Sequence, residues 1–494
     1  MTTSHPPLAL IIRLAKTLDE RGISYCHWKS NAFIARSEAA ENDLDLLIAR
    51  NDADAFRGAL SSSGLTRVER QGKPLPPGKE DYIGYDHETG KLVHVDVHYQ
   101  LVVGHDRTKN YRIPIEAAFL SSAQHRGLLR VPSPEFEYVV FVVRMVLKYA
   151  IWDEVIWQRL RGRRSGLKPS EREELVYLEA CIDPDQVSRV LTEHAPWLGG
   201  RLFDACIAVA AGEVSLYERL ETGRRLQASL DTHVQRGPAG DALLRIWRRL
   251  VLGAQLRVGK MPRFRLANGG AIIGVMGGDG AGKSTAVDEL GSWLKKMFDV
   301  RRIHLGKPPW SATTYAVRGS FRGASLVRSA LPRALRGETS GGSDTEPGYR
   351  TMAWLACTAR DRYLTYRTAR RFADRGGLVL SDRYPHPALE SMDVPLISRL
   401  SGPRMSGRVA DALMRTEQHY HDRIELPEVL TMLMIDPESA ATRKTDEPAD
   451  YVKRRVAEVW QTDWKAFSVD IVDAGQPIEG VTAELKSLIW AALT

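Results

Sequence analysis

The sequence predicts an α/β protein in three regions: a mixed α/β domain over residues 1–131, a helical middle region over 132–266, and a parallel sheet flanked by helices over 267–494. Three observations lead there. Before residue 130, short apolar runs of strand type surround amphipathic helix patterns. From Pro132 to about residue 265 the apolar spacing is almost wholly helical. Beyond Asn268-Gly269-Gly270, strand-like and helix-like segments alternate, as a parallel sheet with crossover helices requires. A chain of 494 residues also exceeds one ordinary core, so two or three domains are expected.

Taken in order, residues 6–21 carry an amphipathic helix. Its apolar run, Leu8 to Ile12, is followed by Arg13 and Lys16 and is too short for the core of a signal peptide. Strands are expected near 23–28, 43–49 and 91–102, and a helix near 52–62. In the middle region, turn signals at Gly166-Leu167-Lys168-Pro169, Asp183-Pro184, Leu198-Gly199-Gly200 and Gly237-Pro238 separate the helices. Its apolar stretch Tyr138 to Trp152 is shorter than a bilayer span and contains Arg144 and Lys148, which predicts a buried helix. In the last region Ala271 to Met276 reads as a buried strand, and Lys283 to Phe298 as a helix through Val287, Leu290, Trp293, Leu294 and Met297. A strand at Val300 to Leu305 follows, then a long helix near Tyr349 to Asp374 and strands at Leu378 to Ser381, Val429 to Ile435 and Ser468 to Val472. Gly337 to Gly348, rich in Gly, Ser, Thr and acids, reads as a surface loop. No internal repeat is present.

Between the first strand and helix of the last region, Gly277-Gly278-Asp279-Gly280-Ala281-Gly282-Lys283-Ser284-Thr285 completes the pattern G-x-x-x-x-G-K-[ST]. Backbone N–H groups from Gly277 through Thr285 can surround an anion at the positive end of the helix. Lys283 can reach the outer phosphates, and the Ser284 hydroxyl can ligate magnesium. A nucleoside triphosphate, ATP with Mg2+, is the expected ligand.

In a parallel sheet, active groups gather at the carboxyl ends of the strands. Asp382-Arg383-Tyr384 directly follows Leu378-Val379-Leu380, so Asp382 is expected beside the loop to hold magnesium or its water, with Arg383 offering a bidentate fork to a phosphate. After Ile435-Asp436, the segment Pro437 to Pro448 reads as a short helix and a polar loop. That loop can bring Arg443 or Lys444 against the charge on a transferred phosphoryl group.

Over about residues 270–494 these motifs resemble the thymidylate kinase family of nucleoside monophosphate kinases. The resemblance rests on G-G-D-G-A-G-K-S-T, on Ala359-Arg360-Asp361-Arg362 followed by Arg375 to Tyr384, and on Asp436-Pro437-Glu438 to Arg443-Lys444. It implies a P-loop NTPase fold. It also implies that Asp279 orients the acceptor's sugar, that Arg383 holds the acceptor phosphate, and that dTMP receives a phosphoryl group from ATP. Some members place an arginine immediately after that carboxylate. This chain has Gly280 there, so the lid is expected to supply the cation, with Arg443 as the choice. Where the family shows an Arg-Glu-Pro-Gly type segment, this chain reads His304-Leu305-Gly306-Lys307-Pro308-Pro309-Trp310 and then inserts some forty residues. Arg360 and Arg362 flank the register of the base-recognition arginine. A nucleoside, a sugar or a glycan end linked to polysaccharide biosynthesis therefore stays open as acceptor.

The first region carries its own constellation: His27-Trp28-Lys29-Ser30, Asp43-Leu44-Asp45, and His94-Val95-Asp96-Val97-His98. Strand alternation points Asp43 and Asp45 to one face, where Asp96 from a neighbouring strand could complete a three-carboxylate magnesium site. This resembles the nucleotidyltransferase fold over about the first 130 residues, which implies metal-dependent nucleotidyl transfer at Asp43, Asp45 and Asp96. The family's Gly-Ser or Gly-Gly pair is replaced by Lys29-Ser30, so a degenerate substrate-binding fold is an equal expectation. A nucleotide-gated, non-enzymatic assembly protein is the remaining class.

Four cysteines far apart in sequence, with no C-x-x-C spacing, argue against a zinc site or a disulfide framework and fit a reducing, cytoplasmic setting. The net charge of +8 is concentrated: residues 236–265 hold Arg236, Arg245, Arg248, Arg249, Arg257, Lys260, Arg263 and Arg265 against Asp241 alone. That segment offers a surface to an anionic partner, as does the stretch from Arg318 to Arg336. A solvated helix face is the plainer reading, because no nucleic-acid motif accompanies it. Arg161-Gly162-Arg163-Arg164 and Lys148 are further cations expected near the amino-terminal cleft. The expected partners are a nucleotide or another small-molecule acceptor, with no specific nucleic acid and no transmembrane segment. A dimer is compatible with the sequence.

Overall fold

The computed structural model describes residues 6–70, 75–160, 166–257, 263–317, 349–389, 395–400, 407–445, 447–467 and 469–494. The expectations for Arg161 to Arg164, Lys260, the arginines from Arg318 to Arg336, the Gly337–Gly348 loop and Asp446 lie outside these residues. The protein is α/β, and the chain divides into two compact units whose boundary in sequence falls between Phe264 and Arg265.

In the first unit the main sheet contains β1 (Tyr25–His27), β2 (Leu44–Ile48), β3 (Leu65–Arg70), β4 (Lys79–Asp86) and β5 (Lys91–His98), ordered β1-β2-β5-β4-β3. Two short ribbons follow, β6 (Val102–Val103) with β7 (Tyr111–Arg112), and β8 (Gln124–Arg126) with β9 (Leu129–Val131). A further short strand, β10 (Phe264–Leu266), falls at the boundary in sequence. Strands β2 and β5 run parallel with Asp45 opposite Asp96, and β4 runs antiparallel to β5 with Asp81 opposite Asp96. Three carboxylates are thereby brought to one level of one face, because strand alternation leaves no other side for them.

The β3–β4 hairpin was not expected from the sequence. Glu80, Asp81 and Asp86 interrupt the apolar alternation of a strand that is nonetheless buried from Glu80 to Asp86. Helix Ala9–Glu20 lays Leu10, Ile11, Leu14 and Leu18 into the core with Phe56 and Leu60 of helix Ala53–Ser62. Helix Pro134–Tyr149 starts with Pro134 in its first turn and is buried almost throughout. Its Val139, Phe141, Val143 and Val146 share one core with Cys26 and Leu47 of the sheet, with Trp28 just after β1, and with the helices that follow. The helical middle segment and the first 131 residues consequently bury apolar surface together.

Helix Pro238–Arg257 has an unusual polarity. Arg245 pairs with Asp153 at 2.8 Å and also with Asp241, Arg249 reaches Glu154, and Arg236 donates to the Thr108 carbonyl at 2.9 Å. Leu243, Trp247 and Leu250 face outward. These arginines, counted from sequence as a surface for an anion, are turned toward acids and carbonyls of their own unit.

The second unit is a five-stranded sheet of β11 (Ala271–Gly277), β12 (Val300–Ile303), β13 (Leu378–Ser381), β14 (Val429–Met434) and β15 (Asp470–Asp473). Its order is β12-β13-β11-β14-β15, and every neighbouring pair is parallel. Strands β11, β13 and β14 are buried along their whole length, which requires cover on both faces and explains their continuous apolar sequence. Helix Tyr349–Ala373 packs Tyr366, Ala369 and Phe372 into this core beside Ile272, Val379 and Met432. The chain leaves central β11 for one side of the sheet and later returns to the other, so a ligand-binding crevice is expected at the carboxyl end of β11. No helix among the described residues is long and apolar enough to cross a membrane.

Candidate phosphate-binding site and a second charged pocket

The loop from Gly277 to Gly282 leaves the carboxyl end of β11 and feeds directly into helix Lys283–Leu294. Gly280 and Gly282 have φ of +82° and +81°, a region that residues with a Cβ avoid. Lys283 folds back over the loop, its Nζ donating to the carbonyls of Gly277 at 3.0 Å and Gly278 at 2.7 Å. Burial, together with the charges of Arg383 and Arg455, pushes the Lys283 ammonium down to about 8 against the opposing pull of Asp279 and Asp382. An anion in the loop would reverse that shift.

Asp279 stands between two cations. Its Oδ1 is 4.0 Å from Lys283, and its Oδ2 is 2.6 Å from the Arg455 guanidinium of helix Ala449–Gln461. A Cβ on Gly280 would lie 2.6 Å from the carbonyl oxygen of Ala440, in helix Pro437–Arg443. Backbone closeness therefore leaves no room at 280 for the arginine that the resemblance places there in some family members.

Asp382 follows β13 and is buried. Its Oδ2 accepts from Arg302 at 2.9 Å, while its Oδ1 has no hydrogen-bond partner. An unpartnered buried carboxylate oxygen and the Ser284 hydroxyl in the first helical turn are hard oxygen donors, the set that suits magnesium. Ser381 Oγ donates to the Arg383 carbonyl at 2.8 Å and fixes the turn that carries Arg383. Arg443, in the last turn of helix Pro437–Arg443, is exposed and donates to the Ala474 carbonyl at 3.0 Å.

The first unit has a second charged pocket, of about 120 Å³, at β4, β5 and the segment after β6. Lys29 lies 2.6 Å from Asp45, and Lys79 lies 3.0 Å from Asp96 and 3.4 Å from Asp81. Asp45, Asp96 and His98 have ligating atoms within 4.8 Å of one another. Asp43 is outside that trio and pairs with His94 at 2.9 Å, while the other ring nitrogen of His94 meets Asp81 at 3.2 Å. Burial alone would lower the His94 pKa, but hydrogen bonds to Asp43 and Asp81 outweigh it and raise it to about 9. The turn after β1 is held by buried acids: the Ser30 N–H donates to Glu174 at 3.0 Å and the Asn31 N–H to Glu137 at 3.1 Å. The residues expected to share a magnesium ion therefore fit it poorly. Asp45 and Asp96 each already hold an ammonium group, and Asp43 is committed to an imidazole.

No protein-family model matches the chain. Among curated proteins, the chain is 23% identical over 222 residues to YghR, an uncharacterized ATP-binding protein of Escherichia coli K12, covering 44% of this chain and 86% of that protein. It is 24% identical over 226 residues to YghS, an uncharacterized ATP-binding protein of the same organism, covering 45% and 94% respectively.

Sequence reasoning missed Arg455. The signal was there: Val452, Val456 and Val459 mark the buried stripe of helix Ala449–Gln461, and Arg455 sits three residues after Val452, at its edge. It also missed what Asp361 does. That buried carboxylate accepts from the Ser311 N–H at 2.9 Å and from Thr314 Oγ at 2.6 Å, docking the segment after β12 onto helix Tyr349–Ala373. Arg360 donates to Ser311 Oγ at 2.6 Å and Arg362 to the Leu305 carbonyl at 2.8 Å, so both guanidinium groups serve the same junction.

Proposed function

We propose that the second unit binds ATP with Mg2+ and transfers its terminal phosphoryl group to a small-molecule acceptor, with dTMP as the first acceptor to test. The observation that carries the reading is the convergence at two adjacent parallel strands. The Gly277–Thr285 loop and Lys283 follow β11, and buried Asp382, with one open oxygen, follows β13. The similarity to two proteins named as ATP-binding supports the nucleotide.

Phosphoryl transfer needs little covalent chemistry from a protein and much positioning and charge neutralisation. Lys283 and the loop N–H groups would hold the donor phosphates, and Ser284 and Asp382 would hold magnesium, which neutralises charge on the transferred group. Asp279 and Arg383 would orient the acceptor. Arg455 stands on Asp279, whereas Arg443, the choice from sequence, is bonded to the Ala474 carbonyl, so Arg455 would take the place of Arg443 as the cation for developing charge. A cleft of about 540 Å³ lined by Arg302, Trp310, Ser311, Asp361 and Thr368 has the size of a small-molecule site, and Arg302 also touches Asp382.

The test is ADP release from Mg·ATP with nucleoside monophosphates, nucleosides and sugars, comparing wild type with Lys283→Ala. Stimulation by dTMP that vanishes in the variant supports the full reading. Stimulation by another acceptor keeps the kinase and discards dTMP. Intact ATP binding with no acceptor-dependent turnover overturns phosphoryl transfer.

A further inference from the structure

The charged pocket of the first unit has room for one phosphate group and the wrong charge for a metal ion beside it. About 120 Å³ is the room of some four water molecules, enough for a phosphate group and well below the ~300 Å³ at which sites enclosing a whole ligand begin. A magnesium ion about 2.1 Å from the oxygens of Asp45 and Asp96 would stand within a few ångströms of two ammonium groups. Like charges that close repel strongly in a partly buried site, and a divalent ion doubles the repulsion. The turn that could cradle phosphates with its amides is also occupied, since Ser30 and Asn31 donate theirs to Glu174 and Glu137.

The pocket has buried donors without a partner, beside one carboxylate oxygen, Asp81 Oδ2, that no hydrogen bond reaches. The Thr108 hydroxyl is 4% exposed and has no hydrogen-bond partner, and the Nε–H of Arg107 is buried without an acceptor. Lys109, beside them, shares Asp106 with Lys148, at 3.4 and 3.1 Å. All three donors line the pocket, and its carboxylates are already matched to cations. A buried hydroxyl and a buried guanidinium N–H left unmatched are costly unless an acceptor completes them.

We propose that this pocket is a metal-independent site for the phosphate group of a small phosphorylated molecule, with Arg107, Thr108 and Lys109 as its donors and the Lys29–Asp45 and Lys79–Asp96 pairs as a neutralised wall. Three donors match a phosphate better than a carboxylate, which offers only two oxygens. The remainder of the molecule lies outside the pocket.

The test is calorimetric titration of inorganic phosphate, without magnesium, into the full chain carrying Lys283→Ala, so that the loop of the second unit is disabled. The same titration is run with Lys109→Ala or Thr108→Val added. Lys109→Ala leaves Asp106 with Lys148, and Thr108→Val keeps the shape, so both variants retain the fold, checked by near-ultraviolet circular dichroism. Phosphate affinity is expected to fall at least about tenfold with Lys109→Ala and several-fold with Thr108→Val. Acetate should not compete. Manganese, followed by electron paramagnetic resonance, should show no binding that depends on Asp96. Absence of phosphate binding, affinity unchanged in both variants, acetate competing as well as phosphate, or manganese binding lost in Asp96→Asn would each overturn the proposal.

Discussion

The Arg455 guanidinium lies 2.6 Å from Asp279 Oδ2, joining helix Ala449–Gln461 to the phosphate-binding loop. Both side chains are mostly buried, at 14% and 20% exposure, so the attraction is less screened than in a surface pair. The contact places a fixed positive charge beside the loop at the level of Gly280, where no side chain can sit.

From this pair, Arg455→Ala is expected to lower turnover in the ADP-release assay by about 100-fold or more, the usual cost of removing one preorganised charge from a transition state. ATP affinity should change far less. Arg443→Ala, removing a group bonded to the Ala474 carbonyl, is expected to change turnover little. The opposite ranking would assign the transition-state charge to Arg443.

Lys283 makes ATP binding depend on pH. Its ammonium, pushed down to about 8, loses its proton in the free protein as pH rises through that value, whereas bound phosphates retain it. Calorimetry should show Mg·ATP affinity nearly flat below about pH 7 and falling toward tenfold per unit above about pH 8. Stability runs the other way. The unfolded chain keeps the proton to about 10.4, so the lysine's contribution to folding rises with pH between about 8 and 10.4. In Lys283→Arg the decline in affinity should disappear, and persistence of the same midpoint there would assign it to another group.

Gly280→Arg tests the backbone geometry of the loop. With φ at +82° and the Ala440 carbonyl 2.6 Å from the new Cβ, the variant must displace helix Pro437–Arg443 or distort the loop. A loss of about 1–3 kcal/mol in stability and weaker ATP binding are expected, measured by urea unfolding and calorimetry. A gain in turnover would show that the segment moves aside freely.

In the first unit, His94 should titrate near pH 9 in an NMR chemical-shift titration, because Asp43 and Asp81 both stabilise its charged form. Asp43→Asn, which alters an exposed side chain, should lower that midpoint by about one unit. Since the folded pKa is raised, the stability that His94 contributes is complete below about pH 6.5 and is lost as pH rises through about 9. An unshifted midpoint in Asp43→Asn would mean that Asp81 alone holds the proton.

Much of the second unit was legible because its signals are local. A glycine loop between an apolar strand and a helix, and Asp382 following a four-residue apolar strand, need only neighbours in sequence to be read. In the first unit, alternation correctly put Asp45 and Asp96 on strands that pair, but the acids of β4 hid a strand. The β4–β5 register then brought Lys79 and Asp81 to Asp96. Arginines of helix Pro238–Arg257 read as surface charge because the sequence shows no partners nearby. Asp153 and Glu154 are some ninety residues away.

The sequence by itself determined the α/β class, the loop that follows β11 and the carboxylates at strand ends, since periodicity and short motifs act through covalent neighbours. The tertiary structure alone decided who meets whom: Arg455 with Asp279, the Ala440 carbonyl with Gly280, and lysines rather than open space beside Asp45 and Asp96. Those choices depend on strand register and helix packing over tens to hundreds of residues. In a buried site they set charge and room, because every ion must find its counter-ion inside the fold.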